Sequence, residues 1–321
     1  MSYLVNNTPV IDGNRQTNLA NISIIGVSGY LLVDSGPRVR GYSSGGFTSA
    51  PTVVNTIDSF PFATSANATD VGDLIQSRGL VAGQSSTTTG YSSGGGTAVS
   101  QIGQIDSFPF ATNANASSVG SLTVNRSNLA GQASSVSGYS TGGSQPTFSN
   151  VIDSFPFATN SNATDVGDLT TARRAVSGQS STVSGYTSGG YGPAAAASNV
   201  IDKFPFATNA NATDVGDLTT GLQRGSGQSS TTNGYVSGGL GVNTIQKFPF
   251  ASNANSTNVG SLTVSRFSAA GHSSTTFGYA SGGGTPIAVN VIDRFPFASD
   301  GTATDVGDLT VGRYGPAGQQ Y

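Results

Sequence analysis

The chain has 321 residues, including 45 Gly and 13 Pro but no Cys and no Trp, and carries a net charge of −3 with only 9% charged residues. Thiol and disulfide chemistry are excluded, and with two lysines and no basic run there is no electrostatic footprint for nucleic acid, whose phosphates demand one. All 16 acidic residues are Asp, and turn formers (Gly, Asn, Ser, Asp) alternate with strand formers (Val, Ile, Thr, Phe, Tyr), which predicts an all-β protein.

Residues 1–40 come first and stand outside the pattern that follows. No basic start precedes an apolar stretch near Met1, so no signal peptide is expected. No apolar run approaches the roughly 20 residues of a membrane helix, so no membrane insertion is expected. Val10, Ile11, Ile22, Ile24 and Leu31 mark short apolar stretches of strand-like alternation. The segment is expected to serve attachment or oligomerisation, giving a homo-oligomer.

From Gly41 to Tyr321 one unit repeats six times. A GYxSGG-like motif starts at Gly41, Gly90, Gly138, Gly185, Gly234 and Gly278. FPF follows at Phe60, Phe108, Phe155, Phe204, Phe248 and Phe295, then VGDL or VGSL at Val71, Val119, Val166, Val215, Val259 and Val306. Each unit reads as four short strands. Strand a is the small-residue run GQSSTT, b is GYxSGG, c surrounds IDSFPF and d is DVGDLT. Small side chains suit the crowded strand nearest an axis, and the paired glycines suit positive φ or close approach. Six four-stranded units of this length predict a six-bladed β-propeller over 41–321 with an N-terminal extension. The repeat opens on a strand b and ends on AGQQY (317–321), so the C-terminal segment is expected to complete the first blade, with GPRVR (36–40) as the competitor.

Several residue sets invite a functional reading. Asp70/Asp73 recur as Asp165/Asp168, Asp214/Asp217 and Asp305/Asp308, which could suggest hard oxygen ligands. Their spacing is too sparse for a calcium loop, so a turn role is preferred and no metal or cofactor is expected. Arg78, Arg126, Arg173, Arg266 and Arg313 each lie four residues after the Leu of VGDL or VGSL, with Arg224 as a shifted match in the fourth copy. They are expected to be structural, pairing between blades with carbonyls or with Asp58, Asp106, Asp153, Asp202 and Asp293, where the fifth copy has Gln246. His272 stands where the other copies have Gln84, Gln132, Gln179, Gln228 and Gln319, which argues against catalysis and places a Gln/His ring on strand a, read as lining the central channel. Asn67-Ala68-Thr69, Asn162-Ala163-Thr164 and Asn211-Ala212-Thr213 match a glycosylation pattern but recur at one turn. No unique acid pair or Ser–His–Asp set stands outside the repeat, so no enzyme is expected. The b–c and d–a loops share one face, and the b–c loop varies most. Its Phe47, Pro51, Phe148, Tyr191, Pro193, Leu240 and Pro286 are the candidate binding residues.

Two resemblances follow. GYSSGG (41–46), Phe60 in strand c and Arg78 before the next strand a resemble the diglycine, aromatic and Arg of the kelch repeat, although Val71 stands where kelch repeats carry Trp. Repeats such as NVIDKFPFATNANATDVGDLTTG, and the segment TPVIDGNRQTNLANIS (8–23), resemble structural and tail-fibre-like proteins of marine bacteriophages and cyanophages. That resemblance implies a virion protein of the tail or fibre, assembled in the host cytoplasm. It would contact other virion proteins through residues 1–40 and a host surface glycan or receptor through the propeller. A capsid-decorating protein and a glycan-active propeller enzyme are the alternatives.

Overall fold

The structure is a computed structural model. It describes residues 38–321 and, within the separate unit Met1–Pro37, the antiparallel pair Leu4–Val5 with Thr8–Pro9. Val10, Ile11, Ile22, Ile24 and Leu31 lie outside the described residues. Arg38–Tyr321 forms six four-stranded antiparallel sheets, the blades of a β-propeller, with no helix among the described residues.

Blade 2 shows the pattern. Strands a to d are Ala82–Ser85, Thr89–Ser93, Gln104–Pro109 and Ser117–Ser121, paired in chain order. Blade 1 departs from it: Arg40–Ser44, Thr56–Pro61 and Thr69–Asp73 are completed by Ala317–Gln320, which pairs Ala317 with Ser44 and Gln320 with Gly41. The C-terminal strand therefore closes the ring. Arg40, from the competing GPRVR segment, opens strand b instead.

Blade-to-blade packing explains the aromatic spacing. In strand b, Gly41 lies opposite Phe60 of strand c, and a methyl on Gly41 would overlap that ring. The same holds for Gly90 against Phe108 and for the four later pairs. The following Tyr turns to the next blade. Tyr42 packs 4.8 Å from Phe110, and its hydroxyl donates to the Phe110 carbonyl. Tyr279 closes the series on Phe62 with ring centroids 4.4 Å apart. Six cores result, each shared by two blades, as with Tyr42, Ile57 and Leu74 of blade 1 and Phe108 and Phe110 of blade 2. Such aromatic pairs contribute roughly 0.5–1.5 kcal/mol each beyond area burial.

Strand a has a strict two-residue alternation. Its Gln faces the next blade: Gln84 Nε2 donates to the Tyr139 carbonyl at 2.9 Å and is fully buried. The Gln/His series therefore does not line the channel. The axis belongs instead to Gly83, Gly131, Gly178, Gly227, Gly271 and Gly318. A methyl on any of them would overlap the carbonyl of the matching glycine in the preceding blade, around a closed ring.

Candidate functional site

Five buried ion pairs cross the seams between blades. Arg78 meets Asp106 at 3.1 Å, Arg126 Asp153 at 3.1 Å, Arg173 Asp202 at 2.9 Å, Arg266 Asp293 at 3.1 Å and Arg313 Asp58 at 2.9 Å. Each Arg also donates to a strand b carbonyl, Arg78 to that of Ser92 at 2.9 Å. The double glycine leaves room beside this arrangement. Gly45 and Gly46 both have positive φ, and a side chain on Gly46 would press on the Arg313 stem. Burial lowers the pKa of Arg78, Arg126, Arg266 and Arg313, and the partner Asp opposes the shift. Guanidinium keeps its charge even so.

One seam differs. Between blades 4 and 5 the slot is filled by buried Leu222, against which a side chain on Gly239 would press, and the facing residue is Gln246. Arg and Asp are absent together. Gln246 Oε1 accepts from the Thr219 backbone N–H at 2.7 Å and from its hydroxyl at 2.9 Å. Arg224, the shifted sequence match, is not in the seam. It lies two residues further on, half-buried at φ 62°, with its guanidinium 5.3 Å above the Phe267 ring.

The Asp of four ion pairs also accepts a Thr hydroxyl, as Asp153 does from Thr123 at 2.6 Å. The Arg78–Asp106 seam has Ile75 there, which offers only its backbone N–H, and Asp106 Oδ1 has no partner. Burial raises the pKa of Asp106 above the usual carboxylate range, opposed by Arg78, the Ile75 N–H and Gln104.

The paired Asp of strand d have local work. Asp70 Oδ1 accepts from the Gly72 N–H at 3.1 Å, and Asp165, Asp214 and Asp305 repeat the contact. The Asn of the glycosylation-like tripeptides bracket neighbouring blades, Asn67 accepting from the Asp308 N–H at 3.1 Å and Asn162 from that of Ser121. His272 is fully buried at the seam of blades 6 and 1. Its Nδ1 is 3.1 Å from the Gln319 carbonyl and its Nε2 is 2.8 Å from Ser281 Oγ. A carbonyl can only accept, so Nδ1 carries the proton and Nε2 accepts from Ser281. Burial pushes its pKa down to about 4.

The groups left for a partner gather where the b–c and d–a loops meet. These loops bridge one another around the face, as Phe47 with Tyr314 and Arg174 with Tyr191. At the axis Leu80, Asn128, Ala175, Arg224, Ser268 and Gly315 all have positive φ. Each backbone N–H donates to the carbonyl of the residue before it in the ring, and Leu80 donates to Gly315, at 2.6–3.0 Å. This hydrogen-bonded ring surrounds a small axial cavity of about 80 Å³. Arg224 is the only charged residue in its lining, which includes no carboxylate.

Two aromatic–arginine clusters stand on the rim. Phe47 stacks on Tyr314 at 5.5 Å, Tyr314 meets Phe267 at 5.9 Å, and Arg224 covers Phe267. In the other, exposed Arg174 lies 5.4 Å from the Phe148 ring and 5.7 Å from that of Tyr191. Of the sequence candidates, Phe47 joins the first cluster and Phe148 and Tyr191 the second, while Pro51, Pro193, Leu240 and Pro286 are exposed along the b–c loops. Sequence reasoning missed Arg174, Phe267 and Tyr314, and it gave Arg224 a structural role. Among the described residues, seven of the eleven exposed large apolar side chains also lie in these loops: Ile75, Val99, Val124, Leu240, Val264, Ile287 and Val311. No protein-family model and no curated protein matches the chain.

Proposed function

We propose that this propeller is a recognition module without catalytic activity, which engages its partner through the b–c/d–a loop face. One observation carries the reading. A frame held rigid by ion pairs and stacked aromatics presents its irregular loops, rim aromatics and most of its exposed apolar side chains on a single face. Function placed on loops of a rigid scaffold follows the same logic. The absence of a carboxylate from the axial cavity lining favours binding over acid–base chemistry there.

The biological setting we propose is a bacteriophage virion, with the chain as a tail-fibre or fibre-tip component that recognises the host surface or neighbouring virion proteins. This rests on the resemblance of the repeat and of residues 8–23 to phage structural proteins. The kelch-like character of the repeat rests on the diglycine, Phe and Arg order. Residues 1–37, the part of the expected 1–40 segment that lies outside the propeller unit, would form the attachment and oligomerisation segment.

The test replaces the b–c loop segments 47–54, 96–102, 145–149 and 192–197 with Gly-Ser segments and measures adsorption of the labelled protein to host cells. Adsorption should be lost while the folded propeller is kept, as read by circular dichroism. Unchanged adsorption would overturn the recognition face.

A further inference from the structure

The loop face has a charge pattern of its own. The b–c loops span 45–55, 94–103, 142–150, 189–199, 240–241 and 282–290, and the d–a loops span 74–81, 122–129, 169–176, 218–225, 262–269 and 309–316. None of the twelve contains an acidic residue, although the chain has 16 Asp. Their only charges are seven Arg. Five of these are consumed by the seam ion pairs. Arg174 and Arg224 are left, with no carboxylate within ion-pair distance among the described residues. Arg174 and Arg224 are thus the charges of the loops themselves that stand outside an ion pair among the described residues, while Asp73, Asp168, Asp217 and Asp308 close strand d at the outer edge of the face.

Both Arg lie against aromatic rings rather than in water alone. A guanidinium held over an aromatic ring keeps N–H groups available as a fork that matches a carboxylate. Arg224 brings this group to the axial cavity, where Ser268 and Asn128 add polar atoms to the lining. Beside it the half-buried Phe47, Tyr314 and Phe267 form a continuous aromatic series. The electron-rich faces of such rings attract the weakly positive C–H groups on the flat side of a sugar. Acidic peptides offer the charge without that flat face.

We propose that the loop face binds an acidic polysaccharide. Arg224 at the axis and Arg174 on the rim would hold uronate carboxylates, and the neighbouring aromatics would carry the sugar faces. The proposal rests on the recognition reading above and gives it a ligand class.

The experiment is calorimetric titration of the full chain with polygalacturonate oligomers, with the same oligomers after carboxyl reduction, and with oligo-glutamate. The titrations are repeated on R174Q, R224Q and F267A, whose folding is verified by circular dichroism. The acidic oligomer should bind, the reduced oligomer about tenfold or more weakly, and each Arg variant should lose about tenfold, the scale of one charge-assisted hydrogen bond. Added salt should weaken binding. Equal affinity for the reduced oligomer, no change in R174Q and R224Q, equal binding of oligo-glutamate, or no binding of any probe would each overturn the proposal. If these failures occur while the loop replacement still abolishes host-cell adsorption, the recognition reading stands and only the ligand class falls.

Discussion

Replacing His272 with Gln should remove an acid sensitivity built into one seam of the ring. The other five blades place Gln at this position, and Gln84, Gln132, Gln179, Gln228 and Gln319 each donate to a Tyr carbonyl of the following blade. His272 is enclosed by Ser43, Ser281, the Gln319 carbonyl and the edge-on ring of Phe60 at 5.1 Å, with no ion pair. The folded protein therefore favours neutral imidazole and lowers its pKa from 6.5 to about 4. The associated stability is fully present above pH 6.5. It declines as pH falls, because the unfolded chain takes up a proton that the folded chain refuses, and the loss is complete near pH 4. At 1.36 kcal/mol per pH unit this amounts to about 3 kcal/mol. The assay is urea unfolding of wild type and H272Q at pH 7 and pH 4, followed by circular dichroism because the chain lacks Trp. Titration of the Asp residues is common to both proteins and cancels in the difference. H272Q should be within about 1 kcal/mol of wild type at pH 7, as expected for a substitution that restores the sister contact. At pH 4 it should be more stable by about 3 kcal/mol. Parallel pH profiles would refute a neutral, desolvated His272.

Three further outcomes follow from the seams and the axis. Ile75→Thr should supply the hydroxyl that Asp106 Oδ1 lacks and raise stability by about 1 kcal/mol in the same assay. Leu222→Arg alone should destabilise by about 3–5 kcal/mol through an unpaired buried charge, and adding Gln246→Asp should restore most of it, measured as a double-mutant cycle. Gly83→Ala should cost about 3 kcal/mol or prevent folding, because its methyl overlaps the Gly318 carbonyl, whereas Gly301→Ala, with open space around it, should unfold at the wild-type midpoint.

The framework was readable because each seam repeats. The spacing of GY, FPF and VGDL predicted six blades, and AGQ near the C-terminus predicted the closing strand. The matched Arg and Asp series anticipated the ion pairs, including the odd position of Gln246. Arg224 misled because residue type was matched in place of spacing: Leu222 keeps the four-residue interval and so occupies the slot. Assigning the Gln series to the channel overlooked strand alternation, which sends Gln to the seam and its neighbour Gly to the axis. The positive-φ ring at the mouth left no signal, since Leu, Asn, Ala, Arg, Ser and Gly share no conformational preference and tertiary contacts impose the backbone. Arg174, Phe267 and Tyr314 were overlooked because they sit in connections that read as part of the repeat. The missing acid in all twelve loops was legible, but it gains meaning only once those loops are known to share a face.

The glycine ring at the axis also has a bearing on how such a chain can grow. Tandem units multiply readily by duplication, and the Tyr–Phe and Arg–Asp seams set each blade against its neighbour alone. The glycines meet around the whole circle. Six inner strands meet with each glycine hard against the carbonyl of the one before it, which sets the circumference of the hub. A seventh unit would enlarge that circle and part all the contacts at once, leaving a hole lined by bare backbone. Smaller than any other residue, glycine here acts as the gauge that holds the wheel at six spokes.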